Sequence, residues 1–194
     1  MDWSLSHKVY AAMITRIDTE IGKLLKLLSD LKLDENTLLF FASNNGNTGG
    51  NAGTGEIPTA AFFNNESPRV GQKGDIRDGA FHVPAIARWY GHIKSGQVSD
   101  HIWAMWDFLP TVVELTGNAP PENIDGISIL PTLLGNNEKQ NEHDFLYWEY
   151  KAEQAVRMEK WYGYKNKKGK LEIYDLFKNP AQNQDLSADY PAIA

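Results

Sequence analysis

The feature that most constrains the fold is an amphipathic helix pattern that leads through a short turn into a continuous apolar run. Between positions 10 and 31 apolar residues recur every three or four positions, with charged residues between them. This spacing predicts a helix of about six turns. Residues 37–43 (TLLFFAS) form an uninterrupted apolar run, which is typical of a strand covered on both faces, as in a parallel sheet. A helix followed by such a strand predicts an α/β fold.

Regular patterning is lost after this strand. Five glycines fall between positions 44 and 55, and a segment so rich in glycine supports no regular element. Irregular chain is predicted to continue to about residue 80, before a second apolar run at 83–89 predicts another strand. Asp107 is then expected to cap a helix that Gly117 ends.

The pattern changes again after a polar linker at 136–144. Four short, aromatic-rich segments separated by turns predict a small antiparallel sheet, with Lys168–Gly169 at a hairpin tip. The tail, 175–194, is expected to end in a short helix. We therefore predict an α/β part over residues 1–143 and a small antiparallel-sheet subdomain over 144–194.

Composition excludes several classes of function. Nineteen basic residues against twenty-five acidic ones give a net charge of −6, so no basic stripe is available to bind nucleic acid. The absence of cysteine excludes disulfides, a thiol nucleophile and cysteine-ligated metal sites. No apolar run approaches the roughly 18 residues that span a membrane, and the first ten residues lack the pattern of a signal peptide. Localisation therefore stays open.

Two polar clusters are candidates for a functional site. Asn44 and Asn45 directly follow the first strand, where ligands bind in open α/β sheets, and their amide oxygens suit a hard cation or a polar ligand. Local chemistry alone favours a simple turn, because Asn tolerates the backbone conformations that turns need. Lys73 lies in Gly71–Gln72–Lys73–Gly74, where an ammonium between glycines suits an anion such as sulfate or phosphate. A surface turn explains this short motif as well.

Histidines give a weaker signal. His82 precedes the second predicted strand and has the chemistry of a ligand or an acid/base group, although a structural role is more common at such a position. The other histidines have no metal-ligand spacing; they are His7, His92, His101 and His143.

The order of these segments resembles the C-terminal half of sulfatases of the arylsulfatase type, over about residues 10–186. The blocks that carry the resemblance are, in chain order, YAAMITRIDTEIGKLL, LDENTLLFFASNNG, GQKGDIRDGAFHVPAIARWYGHIKSGQVSD, WDFLPTVVELTG, IDGISILPTLLG, FLYWEY with AVRMEKW, and LEIYDLFKNPAQNQDL. The resemblance implies part of an alkaline-phosphatase-like α/β sandwich, followed by a small C-terminal antiparallel sheet with a helix. It also implies hydrolysis of sulfate esters.

Site residues follow from the resemblance position by position. Asn44 and Asn45 stand where the family has an Asp and an Asn that bind a divalent cation, usually Ca²⁺. Lys73 matches the lysine that contacts the sulfate and the leaving-group oxygen. His82 stands in for an Arg of the family, in a block where Asp78 replaces a Glu, and His101 matches a frequent His. We therefore expect a catalytic Lys73, metal ligation by Asn44 and Asn45, and substrate contacts from Lys73, His82 and His101.

Two departures from the family bear on activity. Asn44 replaces a carboxylate with a neutral amide, which should weaken calcium binding. In the family the nucleophile is a formylglycine made from the Cys or Ser of a C/S-x-P-x-R motif, and Ser67–Pro68–Arg69 has the wrong spacing for one. We therefore expect the isolated chain to be inactive unless a second polypeptide supplies the remaining half.

Three functions stay open at this point. The first is a sulfatase portion acting on a sulfated small molecule or glycan, with the missing N-terminal half or a second copy as a protein partner. The second is a non-catalytic, sulfatase-derived module that binds sulfated or anionic glycans. The third is a related phosphomonoesterase or phosphonate hydrolase. The resemblance implies a family that is often periplasmic or secreted, and it leaves the particular sulfate ester undetermined.

Overall fold

A computed structural model describes residues 3–47, 59–63 and 68–194. The chain divides into two compact units, Met1–Tyr90 and Gly91–Ala194. The division that the sequence suggests between residues 143 and 144 stays a prediction. Over the described residues no helix is both long and apolar enough to cross a membrane.

The first unit begins with the long helix that the periodicity predicts. Helix α1 spans 26 residues, and the Ser4 Oγ accepts a hydrogen bond from the backbone N–H of His7 at its start. The elements of this unit are α1 (Leu5–Asp30), β1 (Leu39–Ala42), α2 (Thr59–Phe62), α3 (Asp78–Phe81) and β2 (Ala85–Arg88). Helix α2 lies within the segment up to about residue 80 for which the sequence predicts irregular chain, and α3 begins within it, so that prediction is too broad.

Strands β1 and β2 pair antiparallel, with Leu39 opposite Arg88 and Ala42 opposite Ala85. The expectation of a parallel strand covered on both faces is wrong for the described residues, where no third strand joins this pair. Phe41 is 40% exposed and Ile86 is 61% exposed. An apolar run reports that a strand tends to be buried, but it carries no information on the direction of its neighbour.

The second unit carries the predicted antiparallel sheet. Its elements are α4 (Phe108–Leu115), α5 (Leu130–Leu133), β3 (Leu146–Tyr150), β4 (Glu153–Met158), β5 (Trp161–Lys165) and β6 (Leu171–Asp175). The four strands pair in sequence order and are all antiparallel. At the predicted hairpin tip the Asn166 Oδ1 accepts from the backbone N–H groups of Lys168 and Lys170, and Gly169 takes a positive φ.

Two local predictions in this unit are wrong. Asp107 precedes α4, but its carboxylate makes no capping bond to that helix and accepts instead from the backbone N–H groups of Ala104 and Ile127. The tail from 176 to 194 forms turns and no helix. Single turns form there, for example where the Tyr190 N–H donates to the Leu186 carbonyl. Pro191 has no backbone N–H to continue a series of helical hydrogen bonds.

Candidate functional site

The loop that follows β1 lies against the segment that leads into β2. The backbone N–H of Gly46 donates to the carbonyl of Ala80 at 2.7 Å, and the N–H of Lys73 donates to the carbonyl of Asn47 at 2.9 Å. These bonds bring together two loops: residues 43–47 after β1, called the Asn-rich loop, and residues 69–78, called the Lys73 loop. The bonded residues lie 26 or more positions apart in sequence.

Gly46 is what allows the two segments to approach so closely. A Cβ atom at this position would overlap the carbonyl oxygen of Gly79 and lie 3.1 Å from the Cα of Ala80. Only glycine fits here without displacing backbone. The glycine-rich composition of the loop therefore has a packing reason at this position.

Lys73 occupies the exposed tip of a turn whose base is ordered by Asp75. The Asp75 Oδ1 accepts from the backbone N–H groups of Ile76 at 2.7 Å and Arg77 at 3.0 Å. The backbone N–H of Asp75 donates to the carbonyl of Gln72. Within the described ranges no carboxylate lies within ion-pair distance of the Lys73 ammonium, which is thus a cation available to an anionic ligand.

Asn44 and Asn45 offer only neutral oxygens. Asn44 is exposed, and the Asn45 side-chain amide donates to the carbonyl of Gly46 at 2.7 Å. The described residues contain no group of three His, Asp or Glu side chains that could hold a metal ion. Calcium takes about six to eight oxygen ligands and prefers carboxylates. These two amides alone do not make a calcium site.

The two candidate histidines lie in different units. His82 follows α3 in the first unit, and its backbone N–H donates to the carbonyl of Asp78 at 2.9 Å. His101 is half-buried in the second unit and lines a cavity of about 240 Å³ with Glu142, His143 and Arg157, among other residues. Burial lowers the pKa of His101, and the charges of Glu142 and Asp107 oppose that shift.

Sequence reasoning missed a buried acid–histidine pair in the second unit. The Nε2 of His143 lies 2.9 and 3.0 Å from the two carboxylate oxygens of Asp107, and the Asp107 side chain is completely buried. Together with the bonds from Ala104 and Ile127, this pair joins three separate segments of the unit. The partners lie 36 positions apart, which corresponds to no motif spacing, so no sequence pattern indicates the contact.

Two family models and several curated relatives match this chain in sequence. The model described as "Sulfatase" matches residues 4–118, and the model described as "N-sulphoglucosamine sulphohydrolase, C-terminal" matches residues 72–192. The N-acetylgalactosamine-6-sulfatase of Homo sapiens is 38% identical over 64% of this chain and 23% of its own length. The steryl-sulfatase of Homo sapiens is 32% identical over 73% of this chain and 24% of its own length. The chain thus spans about a quarter of the length of the curated relatives it matches.

Solved structures share the fold. Ps i-CgsB in complex with k-i-k-neocarrahexaose superposes with a TM-score of 0.79 at 25% identity, over 99% of this chain and 41% of that protein. A protein solved with its substrate D-glucosamine-2-N,6-O-disulfate gives a TM-score of 0.67 at 22% identity, over 95% and 37% of the two chains. The phosphonate monoester hydrolase of Agrobacterium radiobacter gives 0.70 at 23% identity, over 95% and 38%.

Proposed function

The chain belongs to the sulfatase family, and from that premise we propose that it is the portion of a sulfuric ester hydrolase that binds the sulfate group through Lys73. The observation that supports this proposal is the position of Lys73. Its ammonium is exposed at the tip of an ordered turn, and its backbone is bonded to the loop that follows β1.

Lys73 has the chemistry that the proposal needs. Its ammonium can donate hydrogen bonds to sulfate oxygens and to the leaving-group oxygen, where negative charge develops as the ester bond breaks. In the family a formylglycine supplies the nucleophile, and its precursor motif is not among these 194 residues. We therefore propose that the isolated chain binds the sulfate group without hydrolysing the ester.

A sulfated sugar is the substrate class that we propose. Two of the relatives are named for a sulfated amino sugar or a sulfated sterol. Among the structural neighbours, one was solved with a neocarrahexaose and another with a disulfated glucosamine. Sugar ligands therefore recur among the relatives of this fold, and they motivate the choice of probe below.

We also propose that the apolar face of α1 is covered by the remaining polypeptide of a sulfatase α/β domain. Met13, Ile17 and Leu27 are each about half exposed on this helix, and the matched structures are more than twice as long as this chain. Exposed apolar area of this extent favours association. Sedimentation of the purified chain would reveal a second copy as the alternative occupant.

A non-catalytic glycan-binding module is the second candidate. The neutral pair Asn44 and Asn45, in place of a carboxylate-bearing cation site, favours it. An in-frame C/S-x-P-x-R motif in the coding DNA upstream of Met1 would favour the enzyme portion instead. The likeness to a phosphonate monoester hydrolase concerns the fold alone, and hydrolysis of 4-nitrophenyl phosphate but not of the sulfate would support that third function.

The experiment is a titration of the ¹⁵N-labelled chain with glucosamine 6-sulfate, with glucosamine as the unsulfated control. We expect the sulfated sugar to shift the Lys73 backbone and side-chain resonances and those of Asn47. Lys73→Ala should abolish these shifts, whereas Lys94→Ala, which removes an exposed lysine of the second unit, should not. Equal shifts in wild type and Lys73→Ala would contradict the proposal.

A further inference from the structure

We propose that the ion pair between Arg69 and Asp78 is a positioning device for Lys73, an inference that rests on the proposed function. The Arg69 Nη1 lies 2.6 Å from the Asp78 Oδ2. The Asp78 side chain is 3% exposed and that of Arg69 is 22% exposed. The pair is therefore largely shielded from water. In such surroundings the attraction between the two charges is stronger than at a solvent-exposed surface.

The ion pair closes the base of the loop that carries Lys73. Its two partners stand nine positions apart, and Lys73 lies between them. A backbone hydrogen bond lies next to the ion pair: the N–H of Gly79 donates to the carbonyl of Val70 at 2.7 Å. Both ends of the loop are thus held together at its base, and a loop with joined ends has fewer conformations to lose.

The closed loop is also what meets the Asn-rich loop. Lys73 N–H donates to Asn47 O from the tip, and Gly46 N–H donates to Ala80 O just past Asp78. A Cβ at Gly79 would come within 2.8 Å of the carbonyl oxygens of Arg69 and Gly71. Backbone packing this tight leaves little room for the base of the loop to shift while the pair is intact.

A buried pair of this kind need not add to net stability. The cost of removing two charges from water offsets much of their attraction, whereas removing one partner leaves the other charge buried and uncompensated. Asp78→Asn should therefore loosen the loop, while Asp78→Glu keeps the charge. Asp30 provides a matched control, since it pairs with Lys26 on the exposed surface of α1 at 2.8 Å.

The test combines amide hydrogen exchange with sulfate binding in the full 194-residue chain. In Asp78→Asn we expect exchange at the Lys73 and Gly46 amides to accelerate about tenfold or more, with the centre of α1 unchanged, as local opening predicts. Inorganic sulfate should bind several-fold more weakly, and Asp78→Glu should restore both properties toward wild type. Asp30→Asn should change neither.

Three results would overturn the inference. One is unchanged exchange at Lys73 in Asp78→Asn, and another is an increase shared equally by α1, which would mean that the pair stabilises the whole unit. If Asp78→Asn does not fold, Arg69→Gln, which also removes one charge of the pair, replaces it, and wild-type exchange and sulfate affinity in that variant would be the third. Failure of sulfate to perturb Lys73 in wild type would instead count against the proposed function, while the exchange data still report on the loop.

Discussion

The two units differ in where their apolar side chains lie. In the second unit the strands bury Tyr162, Ile173 and Tyr174 almost completely. In the first unit the long helix and the strand pair leave residues such as Met13 and Ile86 more than half exposed. A sheet of four strands with a covered face can be stable by itself, whereas two strands are marginal alone. The second unit should therefore be the stable part of the isolated chain.

The largest expected effect is the loss of the Tyr162 ring, whose side chain is completely buried. Tyr162→Ala should lower the free energy of unfolding of the second unit by about 3–5 kcal/mol, as for other large aromatic truncations. Met13→Ala on the exposed face of α1 should change stability by less than about 0.5 kcal/mol. Denaturant unfolding followed by tryptophan fluorescence measures both, and similar costs would erase the contrast between the units.

The second-largest loss of stability is expected from substitution of Asp107. Asp107→Ala leaves His143 and the N–H groups of Ala104 and Ile127 without their acceptor. Breaking a buried pair by removing one partner costs about 3–5 kcal/mol, and some relaxation toward the cavity beside His143 should place this variant at the lower end. Exchange of the Ile127 amide reports the change directly. A loss below about 1 kcal/mol would mean that the network behaves like a surface pair.

Acid should weaken the second unit through Asp185. Burial alone raises the pKa of Asp185, but hydrogen bonds from Ser187, Ile173 and Lys170 outweigh it and lower the pKa from 3.8 to about 2. Because the folded pKa lies below the unfolded one, the stabilisation is present above about pH 4 and is lost as the pH falls toward about 2. The carboxylate is partly exposed, so solvent screening limits the effect to about 1 kcal/mol.

Asp185→Asn is the matching variant. It should be less stable than wild type at pH 7 and should converge with it near pH 2, because protonation removes the same charge. Unfolding measured in steps of pH between 2 and 7 tests this. Parallel curves for the two proteins would assign the acid sensitivity to other carboxylates.

The smallest effect is expected at the Asn-rich loop of the first unit. Asn44→Asp adds one exposed carboxylate beside the Asn45 amide, and it should strengthen Ca²⁺ binding by no more than about 1 kcal/mol, as for other exposed charges. Calorimetric titration with CaCl₂ measures it, with Asn118→Asp as a control at an exposed position of the second unit. A large gain would mean that Asn45 belongs to a more complete oxygen cage than the described residues form.

The sequence predicts elements well where one local pattern determines them. The structure confirms three such predictions: helix α1 from its apolar periodicity, the hairpin with its tip at Lys168–Gly169, and the end of α4 before Gly117. The pairing direction of β1 depends on a distant segment, and so do the contacts of Asp107 with Ile127 and His143, which lie 20 and 36 positions away. Local patterns contain no such information.

In the candidate site, too, some features can be predicted from the sequence and others cannot. Lys73 between glycines and the amides after β1 are visible in the sequence, and their resemblance to a family gives each a role. The ion pair between Arg69 and Asp78 cannot be predicted from the sequence, because two opposite charges nine positions apart form no recognised motif. The closeness of Gly46 to Gly79 is hidden for a similar reason, since glycine content alone does not say which glycine is tightly packed.

The most direct test of the account is turnover of 4-nitrophenyl sulfate by the purified 194-residue chain, compared with Lys73→Ala. We propose that this chain supplies the sulfate-binding lysine and that the nucleophile lies outside these residues. We therefore expect no release of 4-nitrophenol that depends on Lys73, with any residual release equal in the two proteins. Release that Lys73→Ala abolishes would contradict the proposal, because the bond-breaking groups would then lie within these residues.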